Sequence, residues 1–67
     1  MPVAKVTEII SSSSTSFDDA INQGIARATK TLKGVTGAWV QDQKVTISDG
    51  SISEYRVALK VTFILEG

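Results

Sequence analysis

Residues 35–65 read VTGAWVQDQKVTISDGSISEYRVALKVTFIL, and their reading decides the fold. The break at Ser48-Asp49-Gly50-Ser51 is a strong hairpin signal, because Asp-Gly tolerates the positive φ of a tight turn. Two strands follow, over 35–48 and 51–65. The second alternates almost without fault. Tyr55, Val57, Leu59, Val61, Phe63 and Leu65 face one way, and Glu54, Arg56, Ala58, Lys60 and Thr62 the other. The first strand changes phase. Ala38 and Val40 are apolar at even positions, Val45 and Ile47 at odd ones. One face takes both pairs only if an extra residue stands between them, so a β-bulge is expected within 41–44. With a three-residue loop 49–51, Ile47 pairs with Ser53, Val45 with Tyr55, Val40 with Leu59 and Ala38 with Val61, all on the core face. Gly37, Trp39 and Gln41 then fall on the opposite face, beside Ala58, Lys60 and Arg56.

Upstream of the hairpin the spacing predicts a helix over 17–33. Phe17, Ile21, Ile25, Ala28 and Leu32 form one apolar stripe. Ser16 is the expected N-cap, and Asp19 three residues later makes a capping-box-like pair with it. Asp18 and Asp19 suit the positive end of the helix dipole, Lys30 and Lys33 the negative end. Gly34 is a good residue just past the helix end. Gly24, on the buried side, suggests a close backbone neighbour. Residues 11–16 are all Ser or Thr, a run that favours local side-chain-to-backbone bonds, and they predict a loop. Val3, Val6, Ile9 and Ile10 make residues 2–10 a first strand. The order β-α-β-β implies an α+β fold: a three-stranded antiparallel sheet packed on one helix, with the last strand central and a right-handed crossover from the first. The helix covers one sheet face. The other is left to solvent, an interface or a ligand.

Composition narrows the function. The chain has 67 residues, with no Cys and no His, and reads as a single domain, 1–67. A domain this small normally needs disulfides, a metal or self-association for firm stability. Disulfides are excluded and structural zinc loses its usual ligands, so self-association is expected. Seven basic residues balance seven acidic ones, which supplies no field for nucleic acid or an anionic membrane. No apolar run is long enough to span a bilayer. The N-terminus lacks the apolar core of a signal peptide, so a cytoplasmic location is expected. Ser-His and Cys-His nucleophiles are excluded, and no side chain titrates near neutrality unperturbed. No catalytic residue is assigned.

The pattern Lys5-Val6-Thr7-Glu8-Ile9-Ile10, the hydroxyl-rich turn, Ser16-Phe17, Ala20-Ile21 and Ile25-Ala26-Arg27-Ala28 resembles the dodecins. So do Val40-Gln41-Asp42-Gln43, Tyr55-Arg56-Val57 and Val61-Thr62-Phe63. The resemblance spans nearly the whole chain. It implies a dodecin-like β-α-β-β subunit, a hollow homododecamer, and non-catalytic binding or storage of a flavin, riboflavin or FMN. Coenzyme A and calcium are the alternatives, as is a shell that is purely structural. In flavin-binding dodecins a Trp near the start of the second strand stacks on the ring; that position is Gly37 here, and Trp39 stands two residues later. The family's flavin-bonding Gln corresponds to Arg56, and its Asp is retained as Asp42. The resemblance thus marks Trp39, Gly37, Gln41, Asp42 and Arg56 as cofactor-binding candidates.

Two readings suit Trp39: an anchor at a subunit interface, or a stacking platform for a planar ligand. Both hold if the ligand lies between subunits. Arg56, Gln41 and Gln43 could orient a heteroaromatic ring or its phosphate, or form a polar face with Glu54 paired to a neighbour's Arg56 or Lys60. Asp18 and Asp19 could meet calcium with Glu8 or Asp42 of another chain, but capping already accounts for them. No metal ligands are assigned.

Overall fold

The computed structural model describes residues 3–65. Its elements are β1 (Val3–Ser13), α1 (Phe17–Thr31), β2 (Val35–Ser48) and β3 (Ser51–Leu65). They form one antiparallel sheet of order β1-β3-β2, with the expected central strand. Pro2, the expected start of β1, lies outside the described residues.

β1 runs three residues further than its apolar pattern suggests. Ser11, Ser12 and Ser13 pair with Val57, Arg56 and Tyr55. The long central strand offers ladder partners that outweigh the local preference of hydroxyl residues for turns. That preference survives at Ser13, which is buried. Its Oγ donates to Asp19 Oδ2 at 2.6 Å and accepts from Thr15 N at 2.9 Å.

α1 starts where expected. Ser16 Oγ accepts from Asp19 N at 3.0 Å. The reciprocal half of a capping box does not form, because the Asp19 carboxylate is taken by Ser13 Oγ and by Gln23 Nε2, at 2.6 Å each. The helix ends at Thr31 rather than Lys33. Leu32 is already extended, and its N–H donates to Ala28 O at 2.8 Å. The chain must turn into β2 here, and Gly34 does so at φ +74 with its carbonyl accepting from Ile64 N at 2.9 Å. A Cβ on Gly24 would lie 3.0 Å from Leu59 Cδ1 and 3.1 Å from Ser11 Cβ. The close neighbours there are side chains of the sheet, not backbone.

The hairpin register holds at Ala38↔Val61, Val40↔Leu59 and Val45↔Tyr55, and Gln41 is the surplus residue of the expected bulge. Two further irregularities were not foreseen. One falls at Thr36. The other replaces the expected Ile47–Ser53 pair: Ile47 faces Ile52 across a two-residue turn, and Ser53 is the extra residue. Asp49 and Gly50 have φ of 50 and 79. Positive φ at both central residues is the type I′ geometry that matches strand twist, so the tight turn forms and the surplus residue moves into β3.

Val57, Leu59 and Val61 are buried against Ala20 and Ala28. Ile9, Phe17, Ile21, Ile25, Leu32 and Val35 pack around them. The Phe17 and Tyr55 rings meet edge-on, 5.1 Å apart at 77°. Ala38, Val40 and Ile47 of β2 share the helix side but are not core, contrary to expectation. Val40 is 40% and Ile47 61% exposed, and Ala38 is exposed too. The reason is reach. A 15-residue helix is about 22 Å long, while a 14-residue strand runs about 46 Å. The molecule measures 51 × 19 × 13 Å, and α1 lies over β1 and β3.

Candidate ligand face on the uncovered side of the sheet

The face away from α1 is built in rows across the three strands. Val6, Thr62 and Gly37 make one row; Glu8, Lys60 and Trp39 the next. Ile10, Ala58 and Asp42 follow, then Ser12, Arg56 and Lys44. The bulge at Gln41 explains the membership. Between the irregularity at Thr36 and this bulge, odd-numbered residues of β2 share this face; after the bulge, even-numbered ones do.

Of the five candidates, the register brings together Gly37, Trp39, Asp42 and Arg56. Gln41 behaves differently from expectation: as the bulge's surplus residue it has no partner on β3, and Asp42 takes the place on this face opposite Ala58. Gln43 also departs from the expected grouping. It pairs with Val57, on the helix side. Lys44, which the sequence reading passed over, lies directly across from Arg56. The parity shift that called for the bulge was the signal that could have found it.

Trp39 is 50% exposed. Its row carries opposite charges, with Glu8 across from Lys60. Around Gly37 the space is open: a Cβ there would meet nothing within 4 Å. Ile10, 70% exposed, and Val6 give the same face an apolar component. Arg56 Nη2 lies 3.0 Å from Glu54 Oε1, so this ion pair is made within the chain. The Arg56 Nε is buried and has no hydrogen-bond partner in the protein. A concavity of about 170 Å³ opens here, walled by Ile10, Asp42, Lys44, Arg56 and Ala58 among others. Among the described residues, no cluster of three or more acidic side chains could hold a metal ion. No helix among them is long and apolar enough to cross a membrane.

The dodecin family profile matches residues 3–66. The chain belongs to the dodecin family. The dodecin of Thermus thermophilus is 36% identical over 64 residues, which are 96% of this chain and 93% of that protein. The crystal structure of an arginine-to-alanine mutant of T. thermophilus dodecin superposes with a TM-score of 0.94 at 34% identity, covering 100% of both chains. Dodecin from Streptomyces davaonensis gives 0.93 at 33% identity, covering 98% of this chain and 97% of that one. The calcium dodecin of Mycobacterium tuberculosis, a calcium chelating immunodominant antigen with a novel calcium-binding site, gives 0.83 at 32% identity, covering 96% and 91%. The β-α-β-β subunit implied by the resemblance is the dodecin fold found here, the central β3 included.

Proposed function

We propose that this protein is a homododecameric binding and storage protein of the cytoplasm. Residues 1–67 act as one dodecin-like domain, which holds a flavin, riboflavin or FMN, between subunits and catalyses no reaction. The observation that carries this reading is Trp39: a large aromatic, half-exposed, on a sheet face that its own chain leaves uncovered. A flat indole offers π contact to a planar ring. Asp42 and Arg56 on the same face supply an acceptor and donors that would orient the ring. Gly37 leaves room beside the platform. Gln41, free of a cross-strand partner, would contribute its amide at the rim. Membership in a family of small ligand-binding proteins supports the class of function, and the uncovered strand β2 supports assembly.

Titration of riboflavin and FMN with the assembled protein tests the reading. Quenching of flavin fluorescence at stoichiometric protein is expected, with light scattering reporting a mass of twelve chains. Flavin fluorescence that stays unchanged would refute it. A second reading, calcium binding, draws on the calcium chelating relative. It predicts a calcium-dependent rise in melting temperature without any flavin effect. Coenzyme A and a purely structural shell are separated by the same titrations.

A further inference from the structure

We infer that the groove between the free edge of β1 and the flank of α1 receives strand β2 of a second copy, so that one sheet runs on from chain to chain. The groove holds about 640 Å³. Thr7, Ile9 and Ser11 line it from β1, and Gln23, Arg27 and Thr31 from α1. β1 is an edge strand that pairs with β3 alone. Its outer side therefore presents a row of backbone N–H and C=O groups without cross-strand partners, the template on which a further strand adds. Natural sheets blunt a bare edge with bulges or proline. β1 has neither, and its register is unbroken from Val3 to Ser13.

The occupant is set by the opposite edge of the same molecule. β2 also pairs with β3 alone. Ala38, Val40 and Ile47 on its helix side stay exposed, because α1 does not reach them. β1 thus has a helix beside it and lacks an outer strand, while β2 has apolar side chains and lacks a helix. Seating β2 of one copy along β1 of the next supplies both. At a strand spacing of about 4.8 Å those side chains come beside the flank of the next α1. Pairing β1 with β1 would leave Val40 and Ile47 bare, and pairing β2 with β2 would leave the groove open. A contact between two different patches is heterologous, and it closes into a ring when the rotation between copies allows. The open face gains as well. Trp39 has Lys60 across from it on one side, and β1 of the partner subunit would fill the other. The docking rests on the self-assembly proposed above and not on the flavin.

The chain has no Cys, so introduced thiols report the contact without background. Ser11→Cys marks the groove. Ala38→Cys, Val40→Cys and Val45→Cys, made one at a time, mark the helix side of β2 at successive registers. Ser11→Cys chains co-assembled with each β2 variant are treated with a short bis-maleimide, and the linked peptides are read by mass spectrometry. A link from Ser11→Cys to β2 is expected in at least one mixture, and a chain carrying both thiols should give a ladder of covalent oligomers. Links of groove to groove or of β2 to β2 without the mixed product would make the contact isologous and overturn the inference. So would the absence of any link in an assembled protein. Val40→Asp gives a second readout. Val40 is exposed in the single chain, so the circular dichroism spectrum should hold while the assembled mass is lost in light scattering. An unchanged mass in both Val40→Asp and Ala38→Asp would also overturn the inference. A single-chain mass for the unaltered protein would remove the assembly and the docking together; flavin quenching on the same samples reads the ligand separately.

Discussion

Trp39 and Leu59 show how two apolar side chains on neighbouring strands come to different fates. Leu59 is 1% exposed, between the sheet and Gly24 of the helix. Trp39 pairs with Lys60, one step along β3, and so projects from the other face. Replacing Leu59 by Asp buries an unpaired carboxylate, and a loss of more than 4 kcal/mol, enough to abolish folding, is expected. Far-UV circular dichroism of the purified variant would read it; a native spectrum would contradict the assignment of Leu59 to the core. Trp39→Ala should instead abolish flavin quenching while the light-scattering mass stays constant. A fall in mass would make Trp39 an interface anchor rather than a platform. The Asp-Gly turn and the helical stripe are likewise residue-scale facts, and all were legible in the sequence.

At the scale of elements, the join between β1 and α1 shows what local pattern could not foretell. Residues 11–16 look uniform, yet half of them are strand, because β3 is present to pair with them. The connection is then fastened by one carboxylate. Asp19 accepts from the buried Ser13 hydroxyl and from Gln23, while its own N–H donates to Ser16. Asp19→Ala leaves the Ser13 hydroxyl without its acceptor, and a loss of about 1–3 kcal/mol is expected. Asp19→Asn, which keeps an acceptor oxygen, should lose less. Urea denaturation of both variants checks the order. The β2–β3 hairpin gives the complementary case. Its central bulge was visible as a phase change between Val40 and Val45. The surplus residues at Thr36 and Ser53 left a fainter trace: Val35 against Ala38, and Ile52 against Tyr55, each a phase change marked by a single apolar residue at a strand end.

The whole molecule is a long sheet under a short helix. Buried apolar residues are few: Ala20, Ala28, Val57, Leu59 and Val61. Val6, Ile10, Trp39, Val40, Ile47 and Ile52 remain largely exposed on both faces and at the hairpin tip. Exposed apolar area on this scale marks an interaction surface. Stability should therefore depend on concentration. Diluting the protein a hundredfold is expected to lower its melting temperature by several degrees, since mass action couples folding to association. Scanning fluorimetry over that range checks it, and a melting temperature that does not move would point to a self-sufficient protomer.

What the sequence determined by itself was the set of elements, their order, the central place of β3 and the apolar residues that seal the helix to it. These follow from short-range periodicity and turn chemistry, which each segment carries whatever its surroundings. The tertiary structure decided which side chains share a row on the open face, and how little of β2 the helix reaches. Row membership depends on the running sum of surplus residues along a hairpin, so one bulge moves Asp42 and Lys44 to the side of Trp39 and sends Gln43 to the other. Coverage depends on the ratio of helix rise to strand rise, which no single segment records.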